Sequence, residues 1–307
     1  YSSRTGMDSS ALFRLDLALP DPSTTSQGTA TPAQLPPNTQ ILHCPKALCR
    51  AAEISPDGKY LAYERTALPG SGFSTLPQVW VLPLDTLGGE ENRQGKMEPE
   101  PFLVGDPAHE TLQPAWSPQG LLTFYDRTDQ AFIIADMQSG QQFRFPNQTG
   151  EPGSWHPNGQ QYIAPEILFA SVPNTQALAN SHLISFNWQI EKTQDLTPGE
   201  DLEDAAPAFS PDGDYLAFTR KFLDVLRWTP GRQIWILHLP SGESQQMTDE
   251  PSYNHFNLAW SPAGDQLAYV RFNQTTPTEP PEIWLMDPLT GRAIQIVIGG
   301  FSPQWIP

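Results

Sequence analysis

Cysteine is almost missing from this chain: Cys44 and Cys49 are all it has. A C-x4-C pair supplies too few ligands for a structural zinc site. It suits a short disulfide loop made in an oxidising compartment, with two reduced thiols as the alternative. Basic residues are also scarce. The 17 Lys and Arg face 34 Asp and Glu, a formal charge of −17. That balance repels phosphate backbones, so nucleic acid is not an expected partner. It favours solubility and cationic partners. No apolar run reaches the roughly 18 residues of a membrane helix, so the chain is not expected to span a bilayer. No secretory signal peptide is visible. The six histidines, at 43, 109, 156, 182, 238 and 255, are scattered without H-x-x-x-H spacing, and no G-x-S-x-G nucleophile turn occurs. No catalytic residue, cofactor or metal is therefore expected.

What is present is repetition. Pro207–Arg220 reads PAFSPDGDYLAFTR, and similar text runs from Glu53 to Arg65, from Ala115 to Arg127 and from Ala259 to Arg271. In all four copies an Arg follows the turn glycine by seven residues. A degraded copy, Ser154–Gly159, has Glu166 in that place. Asp-Gly between apolar runs is a hairpin signal, because the turn needs a positive φ that Gly supplies. A second text recurs downstream as Gln78–Leu82, Ala131–Ile134, His182–Phe186, Gln233–Leu237 and Glu282–Met286. These runs are short and rich in β-branched and aromatic residues, as strands are. Each repeat thus holds four short strands. Repeats of about 40 to 60 residues built this way are propeller blades. The 33 Pro and 22 Gly fit such a loop-rich all-β chain.

The two ends complement each other. The tail, Pro303–Pro307, matches Pro114–Pro118 and stops where the hairpin turn would begin. The head supplies a second strand at Tyr1–Arg4, a third at Ala11–Leu15 and a fourth at Thr39–His43. The expected architecture is therefore one domain over 1–307, a six-bladed β-propeller of four-stranded antiparallel blades. Its ring is closed by a blade shared between 1–50 and 299–307, which leaves no open sheet edge. Ile54, Trp116, Trp155, Phe209, Trp260 and Trp305 precede the turn in each copy and are expected to pack between blades. Arg4, Arg65, Arg127, Arg220 and Arg271 are expected to hydrogen-bond neighbouring backbone carbonyls.

The phrase Ser-Pro-Asp-Gly-x-x-Leu-Ala-Phe/Tyr, followed by an Ile-Trp strand and a Thr-Gly turn, resembles the TolB-type, WD40-like β-propeller repeat. The resemblance covers essentially the whole chain. It implies a six-bladed propeller, commonly exported in bacteria to the periplasm or beyond, that works mainly by binding proteins; related propellers precede the hydrolase domain of prolyl-oligopeptidase-like enzymes, and the expectation here is a non-catalytic scaffold.

Antiparallel order puts the loops joining strands two and three on one face with those joining strand four to the next blade. The insertions 66–77, 167–180, 221–232 and 272–281 belong to the first kind. The second kind carries His109, Glu110, Glu151, Asp201, Glu203, Asp204, Asn254 and His255, a rim of carboxylates expected around one channel mouth. The insertion Lys221–Arg232 is basic and apolar in an acidic protein, and its Leu226, Arg227 and Trp228 are residue types that interfaces favour. Rim and insertion together are the expected protein-binding surface, with folding of the insertion onto its own blade as the alternative. A propeller enzyme, or a small-ligand or Ca²⁺ binder using the mouth, is the competing reading of function. Stretches 18–38 and 88–99 read as flexible excursions. Asn147-Gln148-Thr149 and Asn273-Gln274-Thr275 are glycosylation sequons.

Overall fold

The structure, a computed structural model, describes residues 2–6, 9–14, 39–72, 75–84, 100–169, 179–300, 303 and 305. The stretches 18–38 and 88–99, and 170–178 within one insertion, lie outside the described residues. The chain divides into two compact units, residues 1–115 with 124–129, and residues 116–123 with 130–307.

Every regular element is a strand, and no helix occurs among the described residues. Strands β1 (Ser2–Gly6), β2 (Ser9–Arg14) and β3 (Thr39–Pro45) form a three-stranded antiparallel sheet. Strands β4 (Ala47–Ile54), β5 (Tyr60–Ala67), β6 (Gln78–Pro83) and β7 (Phe102–Leu103) form a four-stranded meander. Strands β8 (Thr111–Trp116), β9 (Leu121–Asp126), β10 (Ala131–Asp136) and β11 (Gln142–Pro146) form another. Next come β12 (Ser154–Trp155), β13 (Gln161–Phe169), β14 (Ala179–Asn187) and β15 (Lys192–Asp195), then β16 (Leu202–Phe209), β17 (Tyr215–Phe222), β18 (Gln233–His238) and β19 (Glu243–Gln246). One parallel bridge, Ser181 to Glu203, joins these two meanders into an eight-stranded sheet. Strands β20 (Tyr253–Trp260), β21 (Leu267–Asn273), β22 (Glu282–Met286) and β23 (Ala293–Ile298) complete the order.

The repeated serine explains the repeated turn. The hydroxyls of Ser55, Ser117, Ser210 and Ser261 accept the backbone N–H of Tyr60, Leu121, Tyr215 and Gln266 at 2.9–3.0 Å. All four serines are buried, so the bond satisfies groups that water cannot reach. The Asp of the turn then accepts from the serine, as Asp212 does from Ser210 at 2.5 Å. Gly213 sits at φ +81°, the left-handed region that the turn requires.

A second recurring device was not legible in the text. Ala51, Gln113, Ala206 and Asn257 each lie in a first strand at φ +49° to +56°. The register slips around Ala51, Ala206 and Asn257, which marks a β-bulge. A left-handed alanine costs on the order of 1 kcal/mol relative to glycine there. Ala206→Gly is therefore expected to leave the fold intact and match or exceed wild-type stability by up to about 1 kcal/mol, less the unfolded-state entropy of glycine. Urea unfolding checks it; a loss above about 1 kcal/mol would contradict the bulge geometry.

The core is made of alternate strand residues. In the second unit Leu216, Phe218, Ile163, Leu183, Phe209 and Leu237 pack together, all buried. Ala217, Ile234, Ile236, Leu267, Tyr269 and Met286 form a neighbouring cluster from the opposite sheet face. Full burial of a side chain such as Phe218 contributes about 1.5–3 kcal/mol. Indoles reach back to earlier first strands: Trp260 Nε1 donates to Ala208 O of β16, and Trp305 Nε1 donates to Ala259 O of β20, both at 2.9 Å. In the first unit Cys44, Ala47, Cys49, Leu61, Tyr63 and Leu82 cluster. Cys44 and Cys49 are joined as a disulfide. Closing so short a loop stabilises by about 2 kcal/mol in the chain-entropy account.

Two expectations are corrected. Ile54 does not pack in a core: it is 46% exposed, because residues 50–54 of β4 all face solvent. Arg127, Arg220 and Arg271 are held by carboxylates where backbone carbonyls were expected. Arg220 clamps Asp204 with two bonds of 2.7 Å. Arg271 pairs with Glu282 at 2.8 Å and also with Glu250. Arg65 lies 5.0 Å over the Trp80 ring, and Arg127 reaches Glu110 at 3.1 Å. Buried guanidinium needs a counter-charge, and a carbonyl dipole is a weaker one than a carboxylate. The side chain of Arg4 lies outside the described residues.

Candidate docking surface

In the second unit four of the rim residues expected in loops lie inside strands, which start earlier than the polarity of the sequence suggests. Glu203 and Asp204 belong to β16, and Asn254 and His255 to β20. The cause is cross-strand charge: Asp204 lies opposite Arg220 and Glu203 opposite Lys221, and opposite charges favour pairing.

Side chains here divide by depth. Asp204 and His255 are wholly buried. Burial pushes the Asp204 carboxyl up, and the Arg220 guanidinium pulls it back. His255 presents Nδ1 to Arg232 O at 2.7 Å and Nε2 to Glu250 at 3.2 Å. These two residues support the rim from beneath and do not offer themselves to a partner. Above them, Arg232 pairs with Glu203 and lies 3.9 Å from Glu151. Burial raises the Glu151 carboxyl, Arg232 lowers it and Glu203 raises it again.

Glu250 takes the opposite course. A hydrogen bond from His255, together with the Arg271 guanidinium, holds its carboxyl down to about 2 from a usual 4.5. A depressed carboxyl contributes stability above the unfolded value and loses it as pH falls through the folded one. Wild type is therefore expected to lose stability between pH 4.5 and 2, and Glu250→Gln to lose less over that window. Urea midpoints at stepped pH check this; parallel losses in both proteins would refute it.

The insertion 221–232 leaves the sheet at Phe222. Asp224 organises its tip, accepting N–H bonds from Leu226 and Arg227 at 3.1 Å and pairing with Arg227 Nε at 2.7 Å. Arg227 lies 4.0 Å over the Phe222 ring, and Lys221 lies 4.8 Å over Trp228. Such cation–π contacts hold the stem while the tip stands out. Val225 and Leu226 are each 92% exposed and Trp228 is 54% exposed. The alternative of a tip folded onto its own blade is not what forms.

The base of the insertion is stitched to the acidic segments. Leu223 N donates to Asp201 O at 2.8 Å, Gly231 N to Pro251 O at 3.2 Å, and Arg232 N to Asn254 Oδ1 at 3.1 Å. Only glycine fits at 231, since a Cβ there would lie 1.9 Å from Tyr253 O. Thus Glu151, Asp201, Glu203 and Asn254 lie on the same assembly as Leu226, Arg227 and Trp228. Reading the sequence missed Arg232 as the link; a basic residue closing an insertion in an acidic chain was the available signal.

Polar residues in three of the third strands, Gln78, His182 and Gln233, have a structural role that was missed too. Gln233 Nε2 donates to Glu250 O at 2.9 Å while its Oε1 accepts Glu250 N–H at 2.8 Å. His182 occupies the same position, with Nδ1 2.8 Å from Asp195 and Nε2 3.0 Å from Gly199 O. Thr197 and Thr248 accept the N–H groups of Leu183 and Ile234 at 2.9 Å. These bonds fix the loops that carry the acidic residues. Of the two sequons, Asn147 is buried and hydrogen-bonded to Pro165 O at 2.7 Å, whereas Asn273 lies at a turn beside exposed residues.

In the first unit the connection to β8 carries His109 and Glu110. Glu110 meets Arg127 at the surface. His109 Nδ1 lies 2.7 Å from Asp126 Oδ2, and that bond raises the imidazole above its usual value. In this unit Gln78 Nε2 donates to Pro107 O at 2.8 Å, and Thr111 accepts Val79 N–H at 2.8 Å.

No protein-family model matches the sequence, and no curated protein matches it by sequence. Among the described residues no helix is long and apolar enough to cross a membrane. Solved structures do match in shape. A protein of Agrobacterium tumefaciens assigned to TolB superposes with a TM-score of 0.56 at 20% identity, over 84% of this chain and 83% of its own. Oligogalacturonate lyase of Vibrio parahaemolyticus gives 0.57 at 13%, over 82% and 67%. The β-propeller domain of the Trilobed protease from Pyrococcus furiosus, described as having an open velcro topology, gives 0.56 at 16%, over 85% and 72%. With its sequential antiparallel meanders and these neighbours, the chain has the β-propeller fold, of the kind seen in TolB-type proteins.

Proposed function

We propose that this protein is an exported, non-catalytic scaffold that binds a protein partner through the insertion 221–232 and the acidic segments stitched to it. One observation carries the reading. A tip bearing Val225, Leu226 and Trp228 is held out in solvent by a base hydrogen-bonded to Asp201, Pro251 and Asn254. An exposed aromatic and aliphatic group with Arg at its centre and carboxylates at its edge has the composition of an interface core and rim. Leaving such groups in water has no stabilising purpose for the isolated chain. The enzymes among the structural neighbours share the fold only, and a fold does not fix a function. Here the histidines of the acidic segment and third strand, His255 and His182, are spent on loop structure. Export accords with the Cys44–Cys49 disulfide and with the likeness to TolB.

We also propose that the six meanders close into a ring with the tail as first strand of the head's sheet. Trp305 supports this by repeating toward Ala259 the bond that Trp260 makes to Ala208. Capture of binding proteins from the native source, with wild type and with Leu226→Ala/Trp228→Ala as bait, tests the function. A partner recovered equally by both would place binding elsewhere.

A further inference from the structure

We propose that His109, Asp126 and Asp129 bind one divalent cation of the zinc or manganese class, with Asp106 steadying the imidazole from its far side. One donor atom from each of the three lies within 4.8 Å of the others. Ligand atoms about 2.1 Å from a tetrahedral ion stand about 3.4 Å apart. The exposed Asp129 side chain therefore closes the set by a movement of about 1–1.5 Å, within the reach of a surface carboxylate.

Two turns build the site. Asp126 ends β9, and its Oδ1 accepts the N–H of Asp129 at 3.0 Å, which leaves Oδ2 for the centre. In the other turn Asp106 Oδ1 accepts Ala108 N–H at 2.8 Å, and Asp106 O accepts His109 N–H at 3.1 Å. Asp106 Oδ2 then faces His109 Nε2 at 4.0 Å, while Nδ1 faces Asp126. A metal-binding histidine commonly points its second ring nitrogen at a carboxylate, which sets the tautomer and the ring's orientation. That pairing on the far side of the ring is independent of the donor cluster itself. The nearby Arg127 is drawn away to Glu110. One imidazole with two carboxylates is softer than the all-oxygen cage of calcium and harder than thiolate zinc. Ion binding replaces the proton between Nδ1 and Asp126 Oδ2 and leaves further positions to water. Partial exposure of His109 and exposure of Asp129 give an entry path.

Equilibrium dialysis of the metal-stripped full chain against Zn²⁺ or Mn²⁺, in millimolar Mg²⁺ to saturate surface carboxylates, tests it. The expected result is one tightly held ion per chain. His109→Ala and Asp129→Asn should each weaken it at least tenfold, and Asp106→Asn about tenfold. Asp129 is exposed, so Asp129→Asn should keep the wild-type circular dichroism and melting curve. Absence of a tight ion in wild type would overturn the proposal. So would an ion held equally well by the folded Asp129→Asn protein.

Discussion

Asp204→Ala is expected to destabilise this protein by about 3–5 kcal/mol, the usual result of stranding one member of a buried ion pair. Asp204 is wholly buried, and its carboxylate takes both bonds of the Arg220 fork. Arg220 is only 12% exposed on its side chain and lies over the rings of Phe218 and Trp235 at 5.1 and 5.3 Å. Without Asp204, its charge would stay in that apolar sandwich uncompensated. Replacing both residues with apolar ones, as in Asp204→Leu/Arg220→Met, should cost much less than the sum of the single changes, because the desolvated charge goes with its partner. Urea unfolding of wild type, Asp204→Leu, Arg220→Met and the double variant completes the cycle. A loss below about 1 kcal/mol in Asp204→Ala would mean that the pair is solvated in solution.

Leu226→Ala/Trp228→Ala should abolish partner capture while costing no more than about 1 kcal/mol of stability, the size of the lost Lys221–Trp228 contact. Central apolar and aromatic anchors typically contribute 2 kcal/mol or more each to association, a loss of at least thirtyfold in affinity. The same side chains are exposed in the free protein, so their truncation opens no cavity. Gly231→Ala separates the anchor from its mounting. The added methyl collides with Tyr253 O, so the base must detach from the segment 249–255. Affinity should fall here too, although every anchor side chain remains. Binding retained in Gly231→Ala would show that the tip works as a free peptide and that the acidic segments are bystanders.

The meanders were readable because each link in them is local. Ser210 and Tyr215, five residues apart, close a turn that passes through Gly213, and the strand texts around them alternate with period two. What stayed hidden depends on partners far along the chain. The Arg of the repeat looked like a backbone ligand, since its partner changes from copy to copy: Asp204 for Arg220, Glu250 and Glu282 for Arg271, Glu110 for Arg127. The bulges at Ala51 and Ala206 carry no glycine to announce a left-handed backbone. Acidic residues at 203–204 read as loop because charge usually does, yet cross-strand Arg220 and Lys221 pull them into β16. The insertion stood out by composition, but its exposure was a question of whether the tip could find a place on its own sheet. The Asp224 turn and the Gly231 contact settle that geometrically.

The most direct check is photo-crosslinking in the native extract, with a light-activated side chain at position 226 or, as control, at position 190. Ile190 is equally apolar and also exposed, on the turn between β14 and β15, away from the stitched segments. A discrete adduct with one protein from position 226 and none from position 190 is what a docking surface at the insertion requires. The same adduct from both positions, or none from 226, would contradict it.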